Sequence, residues 1–206
     1  MIRHVLERVP KDWEIYVVMN VEDYKKAPPN VFIPGRQHVI LLDERTGGAA
    51  ETVLKVKSHI LDYADPVMVI NCDQITTYSL DVFAKQCNAF SGGILTFKEY
   101  GDPRYSYAQG WPLVTRTAEK VPISEYATAG FYYFRQGILL WHAISRMMKM
   151  EDRHNGEYYL CPAYNHMQGE ILNVVVPRDS VVTWGTPEEL DAFKRSPRLQ
   201  GLLRQS

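Results

Sequence analysis

An α/β fold on a parallel sheet is predicted by three observations: short β-branched runs alternate with helical segments, polar residues follow each run, and the apolar spacing between the second and third runs is helical. The runs are residues 15–19, 38–42 and 67–70. Each is short and apolar, as a buried strand requires. Between the second and third, Ala50, Val53, Leu54, Lys57, Ile60 and Leu61 recur at i, i+3, i+4 spacing. They make one apolar helix face, with the methylene stem of Lys57 able to lie along its edge. A strand, helix, strand unit of this kind favours a right-handed crossover, with ligands bound beyond the carboxyl ends of the strands. Asn20, Asp43 and Asp73 follow the three runs and are placed for that role.

After Gly92 and Gly93 the pattern becomes richer in strands. Residues 94–97, 105–109, 113–117 and 131–134 read as strands, several of them antiparallel. A helix over 137–150 points Ile138, Trp141, Ile144, Met147 and Met148 inward. A helical stretch over 157–167 leads into a strand at 171–176. The last helix starts at Thr186, which can cap it; Pro187 suits its first turn and Glu189 can return a hydrogen bond to the cap. Beyond Phe193, Arg195, Arg198 and Arg204 suit a loosely packed helical tail. No internal repeat, linker or low-complexity stretch divides the chain, so residues 1–206 are read as one domain.

Composition narrows the function. Hydrophobic residues make up 46% and charged residues 23%, the balance of a globular protein. The net charge of -1, from 23 basic and 24 acidic residues, gives no broad field to draw in a nucleic-acid backbone or an anionic membrane. An anionic ligand therefore needs a local site. Cys72, Cys87 and Cys161 are odd in number and far apart, which argues against a disulfide framework or a zinc site and for a reducing, cytoplasmic setting. No apolar run approaches the roughly 20 residues of a membrane span, and the first residues lack the design of a signal peptide. An assembly of identical chains is compatible with this composition.

Candidate chemistry lies in four segments. In PVMVINCDQ, residues 66–74, a buried run ends near the Asp73 carboxylate, where it can bind Mg²⁺ bridging nucleotide phosphates; the same carboxylate also suits a turn cap. In TGGAAETVL, residues 46–54, small residues open a helix whose free N–H groups can meet an anion or a base edge, or else simply form a turn into a core helix. Glu119 and Lys120 are adjacent, a carboxylate for sugar hydroxyls and an ammonium for a phosphate, though an exposed ion pair on a hairpin has the same sequence. In the segment from Asn155 through Glu157, Tyr158 and Tyr159 to Tyr164 and Asn165, a helix would turn polar groups together toward a ligand; the alternative for its aromatics is core packing.

Taken in order with GGILTF, RTAEKVPISEYATAGFYYF and WGTPEEL, these segments resemble the sugar-phosphate nucleotidyltransferase branch of the nucleotide-diphosphosugar transferase superfamily, from about Met1 to Phe193. The resemblance implies a three-layer α/β/α Rossmann-like mixed sheet and an activity in which a sugar phosphate attacks the α-phosphorus of a nucleoside triphosphate and pyrophosphate leaves. Mg²⁺ is the implied cofactor. The implied partners are a nucleoside triphosphate and a sugar phosphate, or a nucleotide-sugar, in polysaccharide biosynthesis. By the same resemblance Gly47, Gly48, Ala49 and Asn71 meet the nucleotide, and Asp73 is the metal ligand. Asp73 and Lys120 are the catalytic pair, with Lys120 facing a phosphate, while Glu119, Gly130, Glu157 and Tyr158 line the sugar side.

Two departures from the family pattern carry expectations of their own. The family opens with a strand and a glycine-rich loop bearing an Arg and a later Lys, whereas MIRHVLERV resembles the helix that follows that loop. The family's first, central strand is thus expected to be missing, leaving its neighbours without partners unless another segment, another chain or a rearranged sheet supplies them. Further on, Val182, Thr183 and Trp184 stand where many relatives place a metal-binding Asp, with Asp179 nearby. These departures keep a non-catalytic nucleotide-sugar-binding module open. A glycosyltransferase ranks third, because Asn71-Cys72-Asp73 stands where that class usually shows Asp-x-Asp.

Overall fold

The computed structural model describes residues 2–60, 62–196 and 201. Along the chain it runs α1 (Ile2–Arg8), β1 (Tyr16–Asn20), α2 (Val21–Lys26), β2 (His38–Leu42), α3 (Ala49–Leu54), β3 (Val67–Ile70), β4 (Gln74–Thr76) and α4 (Leu80–Cys87). Then follow β5 (Gly92–Lys98), β6 (Tyr107–Gln109), β7 (Arg116–Ala118), β8 (Tyr126–Phe134), α5 (Gly137–Lys149), β9 (Ile171–Val176), β10 (Val181–Thr183) and α6 (Pro187–Arg195).

The centre of the fold is β8. Along one edge it pairs antiparallel with β5, which pairs in parallel with β9. Its other edge is shared: residues 131–134 pair with β3, while Ala127 pairs with Tyr107 of β6, which carries β7. The period-two alternation of strands sends successive side chains to opposite faces. Tyr132 and Phe134 join one core with Leu140, Trp141, Ile144 and Met147 of α5 and Ala50 of α3. Phe131 and Tyr133 join the other, with Leu80 and Phe83 of α4. Helices thus cover both faces of a mixed sheet, giving three layers. Eight consecutive buried residues in β8 follow from that coverage, since a strand buried on both faces shows no polar alternation.

The expected parallel sheet is corrected in one respect. β1 and β2 do pair in parallel, but as a separate two-stranded sheet, and β3 pairs antiparallel to β8. The strand, helix, strand unit therefore leads from one sheet to another. α1 sits against both parts: Leu6 packs with Ile15 and Val17 of the β1 region, and Val5 packs with Ile75, Val182, Trp184 and Phe193. A second pair, β4 with β10, runs antiparallel.

Local chemistry explains the remaining differences. The helix expected through Leu61 stops at Leu54 and resumes as a 3-10 turn, Lys57–His59, where β-branched Thr52, Val53 and Val56 crowd the helix; Leu61 lies outside the described residues. The strand expected over 113–117 begins only at Arg116, while Leu113 makes an isolated bridge to Leu172. The helical stretch expected over 157–167 shortens to a 3-10 helix, Cys161–His166, because Asn155 and Gly156 at φ 50° and 83° form a turn before it and Pro162 opens it. The tail expectation for Arg198 and Arg204 also lies outside the described residues.

α6 carries the full reciprocal cap that its sequence calls for. Thr186 Oγ1 accepts from the Glu189 N–H at 3.2 Å, and Glu189 Oε2 accepts from the Thr186 N–H at 3.3 Å. Thr186→Ala is expected to cost about 1 kcal/mol, read as a fall of about 2–4 °C in thermal midpoint.

Candidate functional site

The divided edge of β8 opens a notch. β3 ends opposite Phe131 and β6 begins opposite Ala127, so residues 128–130 of β8 face neither strand in register. Gly130, at φ 78°, supplies the left-handed bend at this point, and its carbonyl accepts from the Asn71 N–H at 2.9 Å. A Cβ at position 130 would meet the Gln74 amide and lie 3.0 Å from the Asn71 Cβ. Across the notch, the Thr128 N–H donates to the Ser106 carbonyl at 2.8 Å. The carboxyl end of β3 and the amino end of β6 thus meet on one short stretch of β8.

On the β3 side the chain leaves the sheet through Asn71, Cys72 and Asp73. The segment after β10 closes on it: the Trp184 N–H donates to the Asp73 carbonyl at 3.0 Å, and the indole N–H reaches the Cys72 carbonyl at 3.3 Å. Gly185 leaves room beside the acid, since a Cβ there would lie 3.0 Å from Asp73 Oδ2. The Asp73 carboxyl is held above the usual aspartate value, chiefly by burial and further by the charge of Glu189. Glu189 is itself engaged by Arg104 at 2.8 Å. Mg²⁺ needs one or two carboxylates together with substrate phosphates. The half-buried Asp73 carboxylate, with a glycine at its side, fits that donor set as a single carboxylate, since Glu189 is taken up by Arg104 and the α6 cap, and no cluster of three or more His, Cys, Asp or Glu occurs among the described residues.

On the β6 and β7 side, Glu119 is 7% exposed and accepts a hydrogen bond from the Ser106 hydroxyl. It is not half of an exposed ion pair. Lys120 takes φ 55°, a left-handed conformation unusual for a side chain with a Cβ, and its ammonium donates to the Tyr159 hydroxyl at 2.9 Å. That bond holds the ammonium above the usual lysine value. Glu157 is exposed and close enough for its charge to act on both Glu119 and Lys120.

Burial pushes the Glu119 carboxyl above the usual glutamate value, against the pull of Ser106, Lys120 and His154. An acid with a raised folded pKa holds its proton more tightly in the folded than in the unfolded chain, so stability falls as pH rises from the ordinary glutamate value through the raised one. Glu119→Gln removes that charge at constant shape. Its thermal midpoint is expected to exceed that of the natural protein at pH 8, and the gain is expected to vanish below about pH 4, where both states of the natural protein carry the proton. A gain independent of pH would show that the buried charge is not its origin.

The glycine segment is fastened to the same side. The Tyr158 N–H donates to the Gly47 carbonyl at 2.8 Å, and the Ala50 N–H donates to the Tyr158 carbonyl at 3.0 Å. Gly48, at φ 129°, lies so close that a Cβ would fall 2.6 Å from the Tyr158 nitrogen. Gly47 and Ala49 are exposed at this rim. The Tyr158 ring is buried, beside Arg153 at 4.4 Å, with its hydroxyl toward the Met148 carbonyl at 3.4 Å, so Tyr158 serves the rim through its backbone.

No family model and no curated protein matches the chain by sequence. Solved structures do match in shape. A nucleoside-diphosphate-sugar pyrophosphorylase from Vibrio cholerae RC9 superposes with a TM-score of 0.77 at 22% identity, over 94% of this chain and 85% of that one. A UDP-glucose pyrophosphorylase complexed with UDP-glucose gives 0.71 at 14% identity, over 95% and 87%. HddC from Yersinia pseudotuberculosis complexed with GMP-PN gives 0.61 at 14% identity, over 92% and 80%. The fold is that of the sugar-phosphate nucleotidyltransferases. Identities this low establish the fold alone.

Within this nucleotidyltransferase fold the residues singled out by sequence form two groups. Gly47, Gly48, Ala49, Glu119, Lys120, Glu157 and Tyr158 are linked by the contacts just described; Asn71, Asp73 and Gly130 make the second group, and β8 joins the two through Thr128 and Gly130. Tyr164 and Asn165 belong to neither. Tyr164 donates to the Tyr133 and Gly93 carbonyls at 2.9 and 3.0 Å, and Asn165 brackets Thr117, so both serve the core. Asp179 lies in the Arg178–Ser180 turn before β10, whereas Gly185, beyond its other end, is what reaches Asp73. Sequence reading passed over Ser106, and it quoted Gln74 and Tyr159 within candidate segments without giving either a role of its own. Gln74 directly follows Asp73 and could have been found by adjacency; Ser106 carries no local signal.

Proposed function

We propose that this chain is a sugar-phosphate nucleotidyltransferase, moving a nucleotidyl group from a nucleoside triphosphate to a sugar phosphate with release of pyrophosphate. The observation that carries the reading is the separation of roles around the notch. A half-buried carboxylate stands at the β3 end, a buried acceptor and a cation stand at the β7 end, and the glycine backbone is tied to the latter. The solved structures of this fold, with nucleotide-sugar pyrophosphorylases among them, support the same assignment.

In this reading the rim backbone of Gly47, Gly48 and Ala49, with Asn71, receives the nucleotide. Glu119 accepts hydrogen bonds from sugar hydroxyls in a site dry enough to make each count, as hydrogen bonds to charged groups contribute about 1.5–3 kcal/mol. Glu157 adds an acceptor at the rim, and the bend at Gly130 lets the sugar approach the β8 backbone. Lys120 neutralises the attacking phosphate. Asp73 would hold Mg²⁺, which when bound supplies charge neutralisation on the triphosphate. With no covalent enzyme intermediate, these residues act by placing the acceptor oxygen in line with the α-phosphorus and by balancing charge.

Incubation of the protein with Mg²⁺, each nucleoside triphosphate in turn and a panel of hexose 1-phosphates tests the proposal through pyrophosphate release. At least one pair is expected to release it. Saturable nucleotide-sugar binding with no release from any pair would overturn transfer and establish a binding module instead. Glycosyl transfer from a nucleotide-sugar to an acceptor sugar would redirect the assignment to that class. No helix among the described residues is long and apolar enough to cross a membrane.

A further inference from the structure

We infer that Tyr159 is a second phosphate-binding residue, its phenolic O–H acting beside the Lys120 ammonium on the phosphate of a phosphorylated sugar. The inference rests on the sugar-phosphate reading above and adds to it a residue and a division of labour.

The bookkeeping of protons leads there. An ammonium has three donors and no acceptor, whereas a phenol has one donor and can accept. In the 2.9 Å contact Lys120 is therefore the donor and Tyr159 the acceptor. The phenolic proton is left to point elsewhere, and among the described residues no acceptor takes it. Two of the three Lys120 N–H groups are in the same position. Two adjacent side chains thus hold three donors available to a ligand, a number that suits the terminal oxygens of a phosphate monoester.

The surroundings fix this cluster. Lys120 adopts a left-handed backbone at φ 55°, a conformation that the adjoining structure must hold in place. Tyr159 is half-buried, its ring edge-on to His154 with the ring centres 6.1 Å apart. The ammonium also lies 4.8 Å from the Tyr159 ring centre. Glu119 and Glu157 are the nearby carboxylates, and each repels a bare anion. They accept from hydroxyls instead. Donors for a phosphate next to acceptors for hydroxyls select a sugar phosphate over inorganic phosphate or a free sugar.

Binding separates the possibilities. Calorimetry would use glucose, galactose and mannose 1-phosphates and the corresponding free hexoses, with Mg²⁺ and each non-hydrolysable nucleoside triphosphate present. The proteins are the natural chain, Tyr159→Phe, Lys120→Met and the double variant. Tyr159→Phe keeps the ring and its contact with His154, so it is expected to fold with an unchanged thermal midpoint. It is expected to weaken the preferred sugar 1-phosphate about tenfold, leave free-hexose binding unchanged, and still weaken the phosphate ester when added to Lys120→Met. Loss only in the presence of Lys120 would make Tyr159 a positioning residue and overturn direct contact. Unchanged affinity in Tyr159→Phe, with the natural protein binding, would overturn the inference while leaving the proposed function standing. No sugar 1-phosphate binding by the natural protein with any triphosphate would sink both.

Discussion

Asp73→Ala is expected to abolish Mg²⁺-dependent nucleotide binding and any pyrophosphate release, with loss of at least a thousandfold in transfer and little change in stability. The reasoning joins two links. For the fold, the Asp73 carbonyl, not its side chain, accepts from Trp184, so the closure of the β10 segment over the β3 end survives the substitution. The side chain is also a burden on the folded state, since burial and the charge of Glu189 hold its carboxyl above the usual value. For the chemistry, a half-buried carboxylate is the hard oxygen donor that a divalent cation needs beside substrate phosphates. A raised carboxylate pKa also gives cation binding a pH dependence of definite sign: affinity rises with pH as the proton leaves, and the rise extends above the ordinary aspartate range. Titrating nucleotide affinity against Mg²⁺ at several pH values, in the natural protein and the variant, checks both. Equal Mg²⁺-dependent affinity in the two proteins would remove Asp73 from the metal site.

Glu119 offers the complementary case, in which stability and binding move in opposite directions. The substitution expected to stabilise the protein at pH 8, Glu119→Gln, also exchanges a charged acceptor for a neutral one. Sugar-phosphate affinity is expected to fall about tenfold or more. A residue that costs the fold and serves the ligand has the profile of a site residue.

What the sequence made legible follows from the range of the forces involved. Residues 171–176 are bounded by their own apolar run, and the start of α6 is written in four consecutive residues, so both were readable as local patterns. Asp73 was readable as a candidate for the same reason, because strand ends are marked locally. Pairing was not. Whether β3 joins β2 or β8 is settled by contacts between residues about 60 positions apart, and the apolar run of residues 67–70 is the same in either case. The notch opposite residues 128–130 arises only from that pairing. Ser106 was invisible in consequence: it matters because β6 begins beside it and Glu119 turns back onto it. Tyr158 and Tyr159 could not be told apart by type, yet one ring fills the core while the other hydroxyl meets Lys120.

The glycine segment gives the largest expected effect on stability, and it discriminates between two neighbouring glycines. Gly48→Ala places a Cβ at φ 129° and ψ 173°, a region open essentially to glycine alone. That Cβ would also lie 2.6 and 2.9 Å from the backbone nitrogen and carbonyl carbon of Tyr158, atoms that cannot swing aside. The expected cost is about 3 kcal/mol or more, from strain together with overpacking. At Gly47 the conformation is ordinary and a Cβ would meet only the Glu51 carboxylate, 2.9 Å away at the end of a flexible side chain, so Gly47→Ala is expected to cost under about 1 kcal/mol. The consequence for function is a coupling. The hydrogen bonds from the Tyr158 N–H to Gly47 and from the Ala50 N–H to Tyr158 tie the glycine backbone proposed to meet the nucleotide to the segment carrying Glu157 and Tyr159. Pushing Gly48 away from Tyr158 breaks that tie, so nucleotide and sugar-phosphate affinities should fall together at a temperature where the variant is still folded. Thermal melts with binding measured at 10 °C check this, and a Gly48→Ala protein that weakens one ligand alone would show that the two halves of the site are held independently.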